Sequence, residues 1–473
     1  MSYTEFYCDF TNGNNLNGGG NEYAVKTYTS QIVAGGWNSA TGVFTVAAGD
    51  PAADGVTVGS FASIYVTAGA TVATFVARVT ARDATTITVS LTAVSGTPPA
   101  TDALGATTLK VGGEWKGPNL ASAFPFNFAA STMTNASGHY PRINFQTGAN
   151  YAVTAAMTAN SGPIVWQGYD NTAGDGGRAI IDGGNPSAAY VILSLGANCE
   201  LSDFIIQNNG TTTGTSNELT AGGQETILRN VTVSGIRGNG ISISGAACVG
   251  VSLEAFNCNK SNTASFTGIS SSGAGNTLIR CYSHDNTGSN AWGFIASVAT
   301  TLIGCIADSN GSSGFAMAAT TGSSMVSCDA YNNGAAGAGS GLELTGASAA
   351  TFYIENSNFI DNASWGITSS GSSIRSGAIV NCGFGAGTAA NGSGDINTNI
   401  GAMQVIGTVT YANNVTPWNA PTTGDFRITL AAAKASGIGN FNESDGSATG
   451  TVAYPAIGAA QPSAAATQRS YST

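Results

Sequence analysis

The chain has 473 residues, 42% of them hydrophobic and only 9% charged, with 65 glycines and a formal net charge of −11. That much glycine without a Gly-X-Y period, beside so large an apolar share, excludes collagen and a wholly disordered chain. An excess of 26 acidic over 15 basic residues excludes a nucleic-acid-binding surface built on clustered Lys and Arg, and no run of 18 apolar residues predicts a membrane span.

In chain order, the opening MSYTEFYCDF has neither a basic nor an apolar leader pattern, which predicts synthesis without a secretory signal peptide. Residues 1–29 read as an N-terminal segment. Within 30–112, runs such as Thr41-Gly-Val-Phe-Thr-Val and Thr86-Ile-Thr-Val-Ser-Leu alternate apolar and polar residues between short turns, predicting a small antiparallel β-barrel or sandwich. Ala121-Ser-Ala-Phe-Pro-Phe then reads as a cap over the first coil of a stacked β region. Asp170, Asp175 and Asp182 lie in a Gly-rich stretch without the spacing of a calcium loop, so a plain turn is the better reading.

Residues 113–400 carry a repeat. Leu278-Ile-Arg-Cys281-Tyr-Ser-His-Asp-Asn286 recurs as Leu302-Ile-Gly-Cys305-Ile-Ala-Asp-Ser-Asn310 and as Met325-Val-Ser-Cys328-Asp-Ala-Tyr-Asn-Asn333. Taking the cysteine as reference, Asp203, Asn230, Glu254, Cys281, Cys305, Cys328, Ser357 and Cys382 are equivalent, at spacings of 27, 24, 27, 24, 23, 29 and 25 residues. An Asn stands five places on at Asn208, Asn259, Asn286, Asn310, Asn333 and Asn362. A short strand opening with Gly240, Gly268, Gly293, Gly314, Gly341 or Gly366 precedes each reference, and these glycines read as turn residues with left-handed backbone. Short strands in coils of ~25 residues predict an all-β, single-stranded right-handed parallel β-helix of about 10–12 coils. The eight cysteines include no CxxC pair and read as internal columns of small hydrophobes, without a metal site. The regular Asn column reads as a stack of side-chain amides along one turn. Residues 401–473 read as a C-terminal cap and tail.

The chain resembles the pectate-lyase-like right-handed β-helix repeat proteins of phages and prophages. The resemblance rests on Tyr7-Cys-Asp9-Phe-Thr-Asn12-Gly13-Asn14 at the start, with Gly424-Asp425-Phe426-Arg427 and Pro455-Ala-Ile457-Gly458-Ala459 near the end. It implies a tail-spike-like protein on a virion or other extracellular surface. The partners it implies are host surface polysaccharide and other virion or fibre subunits, with trimers common in the family. The fold hosts lyases, hydrolases, epimerases and inert adhesins alike, so it leaves the activity open.

Inward cysteines place residues one and three positions later outward. Tyr282, Ile306 and Asp329 then form one outer column, and His284, Asp308 and Tyr331 the next. Aromatic rings stack on pyranose faces and carboxylates accept hydroxyl protons, so Tyr282, His284, Asp308, Asp329 and Tyr331 are the candidate glycan-binding residues. Asp308, Asp329 and His284 are also the candidates for acid–base chemistry. A slip of one residue turns the set inward, and the polar references Asp203 and Glu254 mark where such a slip arises. Trp292 and Trp365 come after the Asn turns, where sugar stacking and core burial are both open, and His139 is the second histidine. No cofactor is implied beyond the calcium that some lyases use. Three functions remain: a glycan-recognising adhesin or structural virion protein, a polysaccharide depolymerase (lyase or glycoside hydrolase), and a self-assembling surface fibre.

Overall fold

In a computed structural model of the protein, the described residues are 3–9, 14, 19, 26–29, 36–65, 75–92, 95–97, 108–112, 114–118, 125–127, 140–148, 150–184, 191–208, 217–258, 266–318, 322–335, 338–345, 350–369, 376–386, 390–413, 415–416, 418–423 and 425–428. His139, Asn259 and the Pro455–Ala459 motif fall outside them. The fold is all-β and contains a right-handed parallel β-helix of about nine coils, fewer than the 10–12 that the period predicts. The chain divides into two compact units, 1–186 with 191–208 and 187–190 with 209–473.

The first unit holds an antiparallel sheet in the order Lys26–Thr29, Thr108–Val111, Phe61–Tyr65, Phe75–Arg82, Thr86–Val89, Val43–Thr45 and Trp37–Asn38. The sheet thus draws in a strand ahead of residue 30. Phe75–Arg82 pairs with Phe61–Tyr65 through its first half and with Thr86–Val89 through its second, with a register shift between Val79 and Ala81. A shift of this kind bends a strand, and the sheet folds around one core that includes Tyr28, Trp37, Phe44, Phe75 and Leu109. Parallel pairing starts with the first strand. Tyr3–Cys8 lies beside Tyr140–Gln146, which pairs with Ile164–Tyr169, which pairs with Cys199–Gln207. Phe6, Trp115, Phe126, Phe145, Trp166 and Phe204 fill the interior of these coils and are fully buried. Asp175 accepts backbone N–H groups from Asp170, Asn171, Thr172 and Gly177, so its carboxylate closes a turn, as the glycine-rich context predicts.

In the second unit most coils carry a pair of short strands separated by two residues, the first of them left-handed. Asn276–Ile279 and Tyr282–His284 stack on Thr300–Ile303 and Ile306–Asp308, and these on Ser323–Val326 and Asp329–Tyr331. These left-handed residues include Arg280 (φ 53°), Gly304 (62°), Ser327 (53°), Asn356 (50°) and Asn381 (56°). A non-glycine residue there costs about 1–2 kcal/mol. An inter-coil bond offsets that strain, because each residue's N–H donates to the next coil: Arg280 to Ile303 O at 2.8 Å and Ser327 to Glu355 O at 2.9 Å. On the opposite side, Leu219–Ala221, Ile241–Ile243, Phe266–Ser271, Ala291–Ala296, Phe315–Met317, Leu342–Leu344 and Trp365–Ser369 form a second parallel sheet.

Between the sheets, inward residues stack in columns. Leu278, Leu302, Met325, Ile354 and Ile379 are in register and buried. Cys281, Cys305, Cys328 and Cys382 are buried free thiols. Each donates to the carbonyl two residues before it, as Cys328 does to Val326 O at 3.4 Å. The Asn column is a continuous amide ladder: Asn286 donates to Asn310 (2.7 Å), Asn310 to Asn333 (2.9 Å), Asn333 to Asn362 (3.0 Å) and Asn362 to Asn391 (2.9 Å). Asn391 extends it one coil beyond the sequence pattern.

The glycines that open the strands have a different role from the one predicted. A Cβ on Gly293 would meet Gly314 O at 2.5 Å and the Asn310 amide at 2.8 Å, and one on Gly341 would meet Gly366 O at 2.7 Å and the Asn362 amide at 2.9 Å. The column makes room for the amide ladder, and neither glycine has a left-handed backbone.

Candidate functional site

The strand register sets which side chains meet. Thr232, Glu254, Tyr282, Ile306, Asp329 and Asn358 form one outer column; Ser234, Phe256, His284, Asp308, Tyr331 and Ile360 form the next. The expected alignment around Cys281, Cys305 and Cys328 holds, but three earlier reference residues are out of phase by one. Asp203 (φ 63°) and Asn230 (φ 48°) occupy left-handed positions, and Ser252 (φ 52°) does so ahead of Leu253. The inward equivalents of Cys281 are therefore Phe204, Val231 and Leu253, all buried, and Glu254 turns outward into the Tyr282 column.

This slip adds two residues to the candidate site, Glu254 and Phe256. The His284 ring stacks on Phe256 (centroids 5.0 Å apart) and on Tyr282 (4.1 Å). Its Nε2 lies 3.4 Å from Glu254 Oε1 and its Nδ1 lies 2.8 Å from Asp285 Oδ2. Thr232 Oγ1 donates to the other Glu254 oxygen at 2.7 Å. One coil on, the Tyr282 hydroxyl donates to Asp308 Oδ2 at 3.2 Å and Ser309 Oγ donates to Asp308 Oδ1 at 2.8 Å. The site is a stack of three rings with Glu254 and Asp285 flanking its imidazole and Asp308 bound to its tyrosine.

Burial and charge act on these groups in opposite senses. Burial works against a charged His284, but the hydrogen bonds and charges of Glu254 and Asp285 together outweigh it and raise its pKa. Burial pushes the Asp308 carboxyl up to about 6, against the opposing hydrogen bonds from Ser309 and Tyr282. Burial, then the Asp308 charge and hydrogen bond, raise the Tyr282 hydroxyl.

The predicted face is open only in part. Glu254, Phe256, Tyr282 and His284 are half-buried and Asp285 is exposed, whereas Asp308 (7% exposed), Asp329 (0%) and Tyr331 (7%) are buried. The last two point away from the helix core, as expected, but the C-terminal chain lies over them. Trp418 meets the Tyr331 ring edge-on at 5.6 Å, and the Tyr411 hydroxyl donates to Asn358 Oδ1 at 2.6 Å. Asn358 in turn donates to Asp329 Oδ1 at 2.8 Å. The cover has two sources: Tyr411 lies on Val409–Asn413, which pairs with Gly383–Ala386 as the last strand of the parallel sheet, and Trp418 lies on a strand paired with Asp425–Ile428, part of the closing sequence motif. Tyr331, Ile360, Tyr411 and Trp418 form a small core outside the coils, with Tyr282 and Ile306 packed against it. Trp292 and Trp365 are half-buried and take no part in this cluster. No three carboxylate, imidazole or thiol groups converge as a metal site among the described residues.

A family model described as "Right handed beta helix region" matches residues 218–384. No curated protein matches the chain by sequence. Among solved structures, pectate lyase Pel9A is 15% identical, with a TM-score of 0.40, covering 73% of this chain and 96% of its own. The A-module of the mannuronan C-5 epimerase AlgE4 from Azotobacter vinelandii is 12% identical, with a TM-score of 0.41 and coverage of 62% and 93%. ORF18 of Geobacillus virus E2 is 13% identical, with a TM-score of 0.34 and coverage of 60% and 56%. Similarities this distant carry no information about substrate or activity.

Proposed function

We propose that the chain is a glycan-recognising β-helix protein of the tail-spike type, acting as an adhesin on a virion or other extracellular surface. One observation carries this reading: the Phe256–His284–Tyr282 ring stack, half-buried on a lateral sheet face and edged by Glu254, Asp285 and Asp308. Rings present a flat apolar surface to a pyranose, and carboxylates accept its hydroxyl hydrogens. Asp329 and Tyr331 then support the face from beneath Tyr411 and Trp418. The virion setting, and assembly as a homotrimer with other virion or fibre subunits, rest on the sequence resemblance.

A second reading has its own support. Asp308, with its carboxyl at about 6 and bound to Tyr282 beside His284, is a group that can hold or release a proton near neutrality. It favours a polysaccharide depolymerase. The two readings separate when purified protein is incubated with a panel of capsular and cell-wall polysaccharides. An adhesin retains one of them at unchanged chain length, and Tyr282→Ala with His284→Ala abolishes retention. Shortening of a polysaccharide that stops in Asp308→Asn establishes the depolymerase. Retention unaffected by the Tyr282 and His284 substitutions removes this face from consideration.

A further inference from the structure

The second parallel sheet carries two tryptophans at one address. The residues ahead of the crowded glycines Gly293, Gly314, Gly341 and Gly366 are Trp292, Ser313, Ser340 and Trp365. The N–H of Gly293 donates to Ser313 O, that of Gly314 to Ser340 O and that of Gly341 to Trp365 O, so the four stand in one column. In the coils of both tryptophans the next two residues, Gly293 and Phe294 or Gly366 and Ile367, are buried, which turns each indole outward. Three coil steps of about 4.8 Å set the two tryptophans about 14 Å apart along the stack. Both are half-buried, while Ser313 and Ser340 between them are buried. Trp365 pairs with Gly394 of the following coil, where a Cβ would meet its ring at 2.8 Å, so the indole lies along the sheet.

The strip between the tryptophans is small and polar. The Ser340 N–H donates to Ser313 Oγ at 3.0 Å and the Trp365 N–H to Ser340 Oγ at 3.3 Å. In the neighbouring outward column Ala316, Glu343 and Thr368 are in register, and Ser313 Oγ donates to Glu343 Oε2 at 3.4 Å. Glu343 is half-buried and stands on the coil of Ser340, between the levels of the two indoles.

We propose that this strip is a second glycan-binding site, on the sheet opposite the Tyr282 face, taking an extended β-1,4-linked chain of gluco-configured pyranoses that runs along the coil stack. Two rings on one straight column call for a ligand that is itself straight and offers flat faces at intervals. Equatorial linkages give such a ribbon, and its pyranoses carry C–H groups on both faces. Indoles stack on those faces at low entropic cost. Ser313, Ser340 and Ala316 leave height between the rings for the intervening sugars, and Glu343 accepts their hydroxyl hydrogens. The proposal is independent of the Phe256–His284–Tyr282 stack.

The test measures affinities of the full-length protein for cellohexaose and cellobiose. The hexaose reaches both indoles and is expected to bind on the order of tenfold more tightly than the disaccharide, which reaches one. Trp292→Ala and Trp365→Ala should each remove that gain, whereas Trp292→Phe and Trp365→Phe keep most of it and Glu343→Gln weakens hexaose binding several-fold. Tyr282→Ala with His284→Ala should leave hexaose binding unchanged. The unsubstituted protein supplies a readout free of folding effects: cellohexaose should protect Trp292 and Trp365 from oxidation by N-bromosuccinimide, followed residue by residue by mass spectrometry. Failure of the folded protein to bind cellohexaose overturns the proposal. So does hexaose binding that survives both alanine substitutions, or that is lost with Tyr282 and His284. Indoles oxidised equally with and without the sugar, or resistant to the reagent in both conditions, overturn it as well. None of these outcomes overturns the Tyr282 reading, which the polysaccharide panel tests separately.

Discussion

The outer columns of the second unit have the same address on successive coils but meet two fates. At the coils of Glu254, Tyr282 and His284 the face is half-open and polar groups pair with one another across its rings. Two and three coils later, at Asp329, Tyr331 and Asn358, the same columns lie beneath Trp418 and Tyr411 and behave as a core. A residue's place in the repeat therefore fixes the direction of its side chain, while Tyr411 and Trp418, later in the chain, decide whether that side chain meets water.

The largest test of this contrast is Trp418→Ala. Removing a buried indole costs about 3–5 kcal/mol where the site cannot collapse, so the unfolding midpoint in denaturant should fall markedly, with Tyr331 becoming accessible to nitration. A variant as stable as the wild type, with Tyr331 still protected, would show that Trp418 does not hold this face closed.

Asp308→Asn probes the boundary between the two regions through pH. The folded carboxyl titrates at about 6, above its ordinary 3.8, so the native state binds more protons between those values. Its contribution is fully present below pH 3.8 and is lost as pH rises through 6, a difference of at most about 3 kcal/mol. The raised His284 acts in the same sense: its contribution is present below pH 6.5 and lost as pH climbs through its folded value. Wild-type stability should therefore decline between about pH 4 and pH 7, and less steeply in Asp308→Asn. Equal slopes in denaturation series across that range would mean Asp308 is as well solvated as the open residues.

The smallest effect belongs to Tyr282→Phe on the open side. It removes one donor to Asp308, worth about 0.5–1.5 kcal/mol, and keeps the ring stack. Sugar retention should survive it and fail in Tyr282→Ala. Loss of retention in both would assign recognition to the hydroxyl.

Much of this was legible in the sequence, for physical reasons. Identical stacking demands recur every coil, so Cys281, Cys305 and Cys328 mark one column and Asn286, Asn310 and Asn333 another without reference to any structure. The phase failed at Asp203, Asn230 and Glu254 because the left-handed corner is filled by residues as different as Asp203, Asn230, Ser252, Arg280 and Ser327. An inter-coil hydrogen bond supports that corner, so it does not require glycine, and among the corners named only Gly304 supplies one. The burial of Asp329 was illegible for another reason. Its cover comes from Tyr411 and Trp418, residues far along the chain whose segments lack the repeat's Cys and Asn marks. The crowded glycines looked like turn residues because sequence alone does not separate a need for left-handed backbone from a need for empty space.

The amide ladder has a bearing on how such a chain changes over generations. Each Asn offers a donor on one side and an acceptor on the other, so every rung ends as the previous one began, and an added coil meets the same chemistry at both of its faces. Intervals between inward reference residues run from 22 residues (Val231 to Leu253) to 29 (Cys328 to Ser357) while the columns stay in register. The connecting segments absorb those differences. Copying a coil, or exchanging a connection, therefore leaves the spine intact, and new surface can be tried without re-inventing the scaffold that carries it.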